Sequence, residues 1–193
     1  MENKKILIEV SNRHVHLSRE HINILFGKNY KLKIYKLLSQ PGQFAAQEKI
    51  DLIKNNKKIE NIRILGPERP ETQVEILKKD AEYLGIETPV RISGDLENTP
   101  GLILQGPNGR VELKKGVILS HRHLHASEDE AKELGINHGQ IVNVKVHEPE
   151  MTLNKVVVVV RKDFKLSVHI DKQEAEVFSI GKQDKETFGE LVF

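Results

Sequence analysis

Ile6-Leu7-Ile8-Glu9-Val10-Ser11-Asn12-Arg13-His14-Val15-His16-Leu17-Ser18 carries three structural signals in succession. Ile6 to Val10 is a strand-like apolar run. Arg13-His14-Val15-His16 places two imidazoles at i and i+2, which share one face of a strand. Ser18 can cap a helix from Arg19 to Phe26, closed by Gly27. The same succession returns later. Val117 to Leu119 leads into Arg122-His123-Leu124-His125-Ala126-Ser127. Ser127 and Glu130 then have capping-box spacing, and Ala131 to Leu134 continues a helix to Gly135.

Working outward, the remaining chain reads mostly as short strands. Leu32 to Leu37, Lys58 to Leu65, Gln73 to Leu77, Val90 to Ser93, Gly101 to Leu104 and Arg110 to Leu113 are candidates. So are Gln140 to Val146, Lys155 to Arg161 and Phe164 to Ile170. Pro107-Asn108-Gly109 and Arg161-Lys162-Asp163 mark turns, and Asp95 to Gly101 is the clearest internal loop. Many short strands with only three or four short helices predict a mainly β protein built from small barrels. No low-complexity linker separates them, so two barrels are expected to pack closely.

Composition narrows the function classes. The 193 residues suit one large or two small domains, and 38% hydrophobic with 30% charged residues is an ordinary globular balance. With 30 basic against 28 acidic residues, charge gives no reason to expect nucleic-acid binding. The chain has no cysteine, which excludes disulfides, a thiolate nucleophile and cysteine-ligated zinc. No apolar run approaches the ~20 residues that span a bilayer. Met1-Glu2-Asn3-Lys4-Lys5 leads straight into the first strand without a secretory apolar region, so a cytoplasmic protein with no membrane partner is expected.

Nine histidines are many for this length, and they are not scattered. His14 with His16, and His123 with His125, each offer two nitrogen donors on one strand face, a natural start for a metal site. A single His-x-His is weak evidence, but two copies with the same flanking Arg and Ser are not readily accidental. His169, in Lys165-Leu166-Ser167-Val168-His169-Ile170-Asp171, alternates with apolar neighbours and reads as a strand residue. Alone it is a half-buried histidine; beside other donors it is a candidate ligand. Gly66-Pro67-Glu68-Arg69-Pro70-Glu71-Thr72-Gln73-Val74-Glu75-Ile76 is a loop entering a strand. It is either an exposed loop with an edge strand, or a source of a carboxylate ligand, Glu75, and an anion clamp, Arg69, whose planar fork suits phosphate.

Together, the segment Val10 to Ser18, the Gly66 to Glu75 stretch, Arg122 to His125 and Val168-His169-Ile170-Asp171 resemble the signature set of PduL-type phosphate acyltransferases. Gly94-Asp95-Leu96-Glu97 and Gly106-Pro107 to Val117 extend the likeness to most of the chain. The chain departs from the pattern at His21, His121, Ala126 and Glu176. The resemblance implies two β-barrels capped by short helices, one from residues 1–12 plus 121–193 and one from residues 13–120. It implies two divalent metals, zinc as a rule, with His14 and His16 on one and Glu75, His123, His125 and His169 on the other. Arg69 would bind phosphate and be the catalytic residue. His121 would be a bystander or a partner behind the ligands. The implied substrates are a short-chain acyl-CoA, propanoyl or acetyl, and phosphate; the products are acyl phosphate and coenzyme A. A homodimer is implied as well. Many relatives carry an N-terminal extension that directs them to a bacterial microcompartment; without it, a free cytoplasmic enzyme is expected.

The expected chemistry is direct, metal-assisted attack of phosphate on the thioester, since phosphate is partly dianionic near neutrality and needs little help from a base. Two rivals use the same residues. A zinc-dependent hydrolase would attack with water instead, and a non-enzymatic metal-binding barrel module would perform no reaction.

Overall fold

Short runs in which apolar and polar residues alternate make this a mainly β protein. The computed structural model describes residues 4–181 and 185–192, so Met1, Glu2 and Asn3 of the start read above lie outside the described residues. In chain order come β1 (Ile6–Ser11), β2 (His14–His16), α1 (Arg19–Phe26), β3 (Ile34–Leu37), β4 (Phe44–Lys54), β5 (Lys57–Gly66), β6 (Gln73–Ile76), α2 (Lys78–Leu84), β7 (Val90–Arg91) and β8 (Ile103–Gln105). There follow β9 (Arg110–Glu112), β10 (Val117–Ser120), β11 (His123–Ala126), α3 (Glu128–Leu134), β12 (Ile141–Val146), β13 (Met151–Val160), β14 (Ser167–Asp171), α4 (Lys172–Phe178) and β15 (Thr187–Val192). No helix among the described residues is long and apolar enough to cross a membrane.

The chain divides into two compact units, Met1–Asn12 with His121–Phe193, and Arg13–Ser120. The first is a closed barrel in the order β1-β14-β11-β13-β12-β15. Its interior is aliphatic, with Ile6, Leu124, Val144, Val156, Val158 and Val168 among the buried residues. Closure depends on β15 lying antiparallel to both β1 and β12. Gly189 makes this possible: a Cβ there would stand 2.6 Å from the Lys145 carbonyl oxygen and 2.9 Å from Val144 Cγ1.

The second unit holds a nine-stranded sheet in the order β7-β10-β6-β2-β5-β4-β8-β9, with β3 pairing beside β4. Val15, Leu17, Leu25, Ile50, Ile64 and Leu104 lie in its own buried core. Its strand path ends at β9 and does not return to β7, whereas the first unit's path closes.

The sequence repeat is also a repeat of topology. Strands β1, β14, β11, β13, β12 and β15 in one unit correspond in order to β10, β6, β2, β5, β4 and β8 in the other. The senses agree at every step: parallel, antiparallel, parallel, antiparallel, antiparallel. The chain changes unit at Arg13 in the first copy and at His121, one residue before Arg122, in the second, so β1 and β10 each belong to the unit other than the one they lead into.

The helices begin and end as their sequences dictate. Ser18 Oγ accepts the His21 amide at the start of α1. In α3, Ser127 and Glu130 form the reciprocal box, at 3.1 and 2.9 Å, and Gly135 closes the helix in the left-handed conformation at φ 66°.

Two strands were not anticipated. β4 contains Ala45, Ala46, Gln47, Glu48 and Lys49, all good helix formers, yet it pairs with β5 on both sides of an irregularity between Ala45 and Lys49, and Ala45 and Ala46 pair with β3. The turn between them explains why: Asn55 and Asn56 both have positive φ, 50° and 59°, the geometry of a tight two-residue hairpin. β15 also went unread, and β13 begins at Met151 rather than Lys155.

Candidate functional site

In the second unit, β2 points Val15 into the core and holds His14 and His16 on the other face. The adjacent antiparallel strand β6 sets Glu75 opposite His14 and Gln73 opposite His16. All three potential ligands are withdrawn from water, at 6, 3 and 7% exposure for His14, His16 and Glu75. Their donor atoms lie within 4.8 Å of one another. His14 Nε2 and Glu75 Oε1 are 3.5 Å apart. That is long for a hydrogen bond, but it matches the separation of about 3.4 Å between two ligands that each lie about 2.1 Å from a tetrahedral zinc.

The hydrogen bonding fixes which nitrogen is available. His16 Nδ1 lies 3.1 Å from the Leu65 carbonyl oxygen. A carbonyl only accepts, so Nδ1 carries the hydrogen and Nε2 keeps its lone pair. Burial, with the charges of His14 and Arg69 behind it, holds His16 well below the usual imidazole pKa, while Glu75 opposes the shift. The neutral ring that results is the form that binds metal.

The first unit repeats the design on β11 and β14. Their antiparallel register sets His123 opposite His169 and His125 opposite Ser167. Ring centroids are 4.6 Å apart for His123 and His125, 5.1 Å for His123 and His169, and 4.5 Å for His125 and His169. The three donor atoms again fall within 4.8 Å of one another. His123 Nδ1 donates to the His121 carbonyl at 2.8 Å, which leaves Nε2 to face a ligand. His125 stacks on Phe164 at 3.8 Å. His169 Nε2 lies 2.9 Å from Ser167 Oγ and 3.5 Å from Glu9 Oε2, a carboxylate brought alongside by the β1–β14 register.

Within its own unit, Glu75 lies beside His14 and His16. The resemblance implied Glu75 with His123, His125 and His169; the β2–β6 pairing sets its carboxylate next to His14 and His16. His121 contributes through its backbone carbonyl, while its own ring Nδ1 turns to the Arg122 carbonyl at 2.8 Å. Each set offers three buried or half-buried hard and borderline donors, and in each one imidazole, His16 or His123, has its tautomer fixed by a backbone carbonyl. That donor chemistry fits a divalent ion such as zinc with a position left for substrate.

Arg69 sits in the loop between β5 and β6. Its amide donates to the Leu17 carbonyl at 2.9 Å, and Nη1 donates to Ser93 Oγ at 2.9 Å. Gln73 ties this arginine to the donor set. Its Nε2 lies 2.6 Å from Glu75 Oε1 and 2.7 Å from Ser93 Oγ, and its carbonyl accepts the Gly94 amide at 2.7 Å. Sequence reasoning gave Gln73 no role beyond its place in a strand, and it passed over Ser93. The signal was present in the i, i+2 spacing of Gln73 and Glu75. Glu9 was also missed: it was read only as part of a strand.

Two kinds of comparison with known proteins bear on the family of this chain. A family model described as phosphate propanoyltransferase matches residues 7–181. A phosphate propanoyltransferase of Thermotoga maritima is 46% identical over 181 residues, covering 93% of this chain and 86% of the relative. One of Leptotrichia buccalis is 43% identical over 170 residues, covering 88% and 81%. One of Salmonella typhimurium is 39% identical over 194 residues, covering 100% and 91%.

Proposed function

The chain belongs to the phosphate propanoyltransferase family and is a phosphate acyltransferase, and from that premise we propose that it exchanges phosphate and coenzyme A on a short acyl group by direct attack, propanoyl or acetyl being the acyl group. The observation that carries this reading is the pair of three-donor sets, one of which shares its unit with a hydrogen-bonded arginine.

His14, His16 and Glu75 would hold one divalent ion and His123, His125 and His169 another, and these ions would supply Lewis acidity where the thioester oxygen gains charge. Arg69 binds phosphate through its guanidinium, which Ser93 Oγ steadies at Nη1. Gln73 couples that placement to Glu75 and keeps the carboxylate oriented. A phosphate oxygen then attacks the thioester carbon. The new carbon–oxygen bond replaces the carbon–sulfur bond, and the electron pair leaves on the coenzyme A sulfur as thiolate. No protein base is needed, because phosphate already carries close to two negative charges near neutrality. The absence of cysteine from the chain excludes a cysteine acyl-enzyme. What the side chains supply is orientation and a low-dielectric setting, the larger part of the barrier reduction in reactions of this kind.

Thiol release from propanoyl-CoA, followed with and without phosphate, tests the reaction. Release that requires phosphate, with acyl phosphate accumulating in step, is expected. Release at the same rate without phosphate would make the protein a hydrolase, and no release by metal-loaded protein would make it a binding module.

A further inference from the structure

The arginine of each Arg-His-x-His motif takes no part in the reaction described above, yet both copies find the same partner. Arg13 Nε lies 3.1 Å from Asp80 Oδ2, and the Arg122 guanidinium is paired with Glu174. Asp80 and Glu174 hold equivalent positions. Gln73-Val74-Glu75-Ile76-Leu77-Lys78-Lys79-Asp80-Ala81 aligns with Ser167-Val168-His169-Ile170-Asp171-Lys172-Gln173-Glu174-Ala175. In each stretch the acid stands five residues after the third metal-ligand candidate, at the third position of the short helix that follows its strand.

We propose that Arg13 and Arg122 are positioning residues that fix the register between the two ligand-bearing strands of each unit, by tying each His-x-His strand to the helix that continues from the strand of the third ligand. This rests on reading the two donor sets as metal sites. The need for such a tie is visible in the ladders. β2 pairs with β6, and β11 with β14, over three residue pairs each. A slip of one residue would turn Glu75 or His169 to the opposite face. The ties are not loose surface pairs. Asp80 is buried, and the same Oδ2 accepts the Leu77 amide at 3.0 Å, so Arg13 is anchored to the first turn of α2. Arg122 also donates Nη1 to the Asn154 carbonyl at 3.1 Å, and its guanidinium lies over Phe178 on α4. In α4 the Glu174 amide is capped by Asp171 at 2.8 Å, which leaves the Glu174 carboxylate for the arginine.

Cobalt(II) titrated into metal-free protein, followed by its ligand-field absorption, tests this without using activity. The parent should take up two equivalents. In Arg122→Gln, one equivalent should weaken by about 10–100-fold, the usual cost of losing a partner behind a ligand, while the other keeps its midpoint. Glu174→Gln should do the same, and the double variant should be no weaker than either single one, because each residue acts through the other. Arg13→Gln and Asp80→Asn should repeat the pattern at the other equivalent; the asparagine still caps Leu77. This second pair decides the matter if the first pair does not fold. A merely structural role would lower the thermal midpoint and leave both cobalt midpoints in place, and that result would overturn the proposal. Additive losses, or equal weakening of both equivalents, would overturn it too. A parent protein that takes up no cobalt would instead sink the metal reading underneath it.

Discussion

Arg69, the residue proposed to bind phosphate, donates Nη1 to Ser93 Oγ, which fixes the direction of its planar fork. Arg69→Ala should cut the phosphate-dependent rate by about 100–1000-fold, as loss of a transition-state donor does. Arg69→Lys should recover only part of this, since an ammonium cannot bind phosphate in bidentate fashion. Steady-state kinetics at varied phosphate would show it, and unchanged phosphate dependence in Arg69→Ala would remove its assigned role. His16 makes a second prediction. Its folded pKa lies below the usual 6.5, so the unfolded chain binds the proton more readily. The neutral ring's contribution is complete above that value and is lost as pH falls through it. Metal-free protein should therefore melt at lower temperature at pH 5.5 than at pH 8, and His16→Gln should flatten that slope. A slope of the same size in the variant would assign the effect to other groups.

At the scale of elements, β15 and α3 make separable predictions. Gly189→Ala places a methyl group against the Lys145 carbonyl and Val144 and should cost about 1–3 kcal/mol by overpacking, read as a lowered urea midpoint. Ser127→Ala removes one half of a capping box and should cost about 1 kcal/mol in the same measurement. What could be read from the sequence follows the same division. Caps and His-x-His strands are local, and Ser18, Ser127, Gly27 and Gly135 marked them correctly. β4 was not legible because residues 45–49 favour a helix when isolated, and only pairing with the neighbouring strands β3, β5 and β8 decides otherwise. The Asn55-Asn56 turn was the available clue. The grouping of Glu75 with His14 depends on which strands are neighbours, a long-range fact that residue spacing does not contain.

At the scale of the molecule, the repeated motif marks two units with one strand order, each presenting three donors at the same step of its sheet. A chain built this way gains stability from any ion its folded form alone can bind. Removing metal with a chelator should lower the thermal midpoint; free metal at 100 times its dissociation constant is worth about 2.7 kcal/mol per site. Chelation that leaves the melting curve unchanged would count against ligation by the folded state. The most direct measurement is an anomalous-scattering map, recorded at the absorption edge of whatever metal the purified protein carries. Two peaks are expected, one bounded by His14, His16 and Glu75 and one by His123, His125 and His169. A map with no peak at either donor set, in protein that releases thiol in a phosphate-dependent manner, would contradict metal-assisted transfer by these residues.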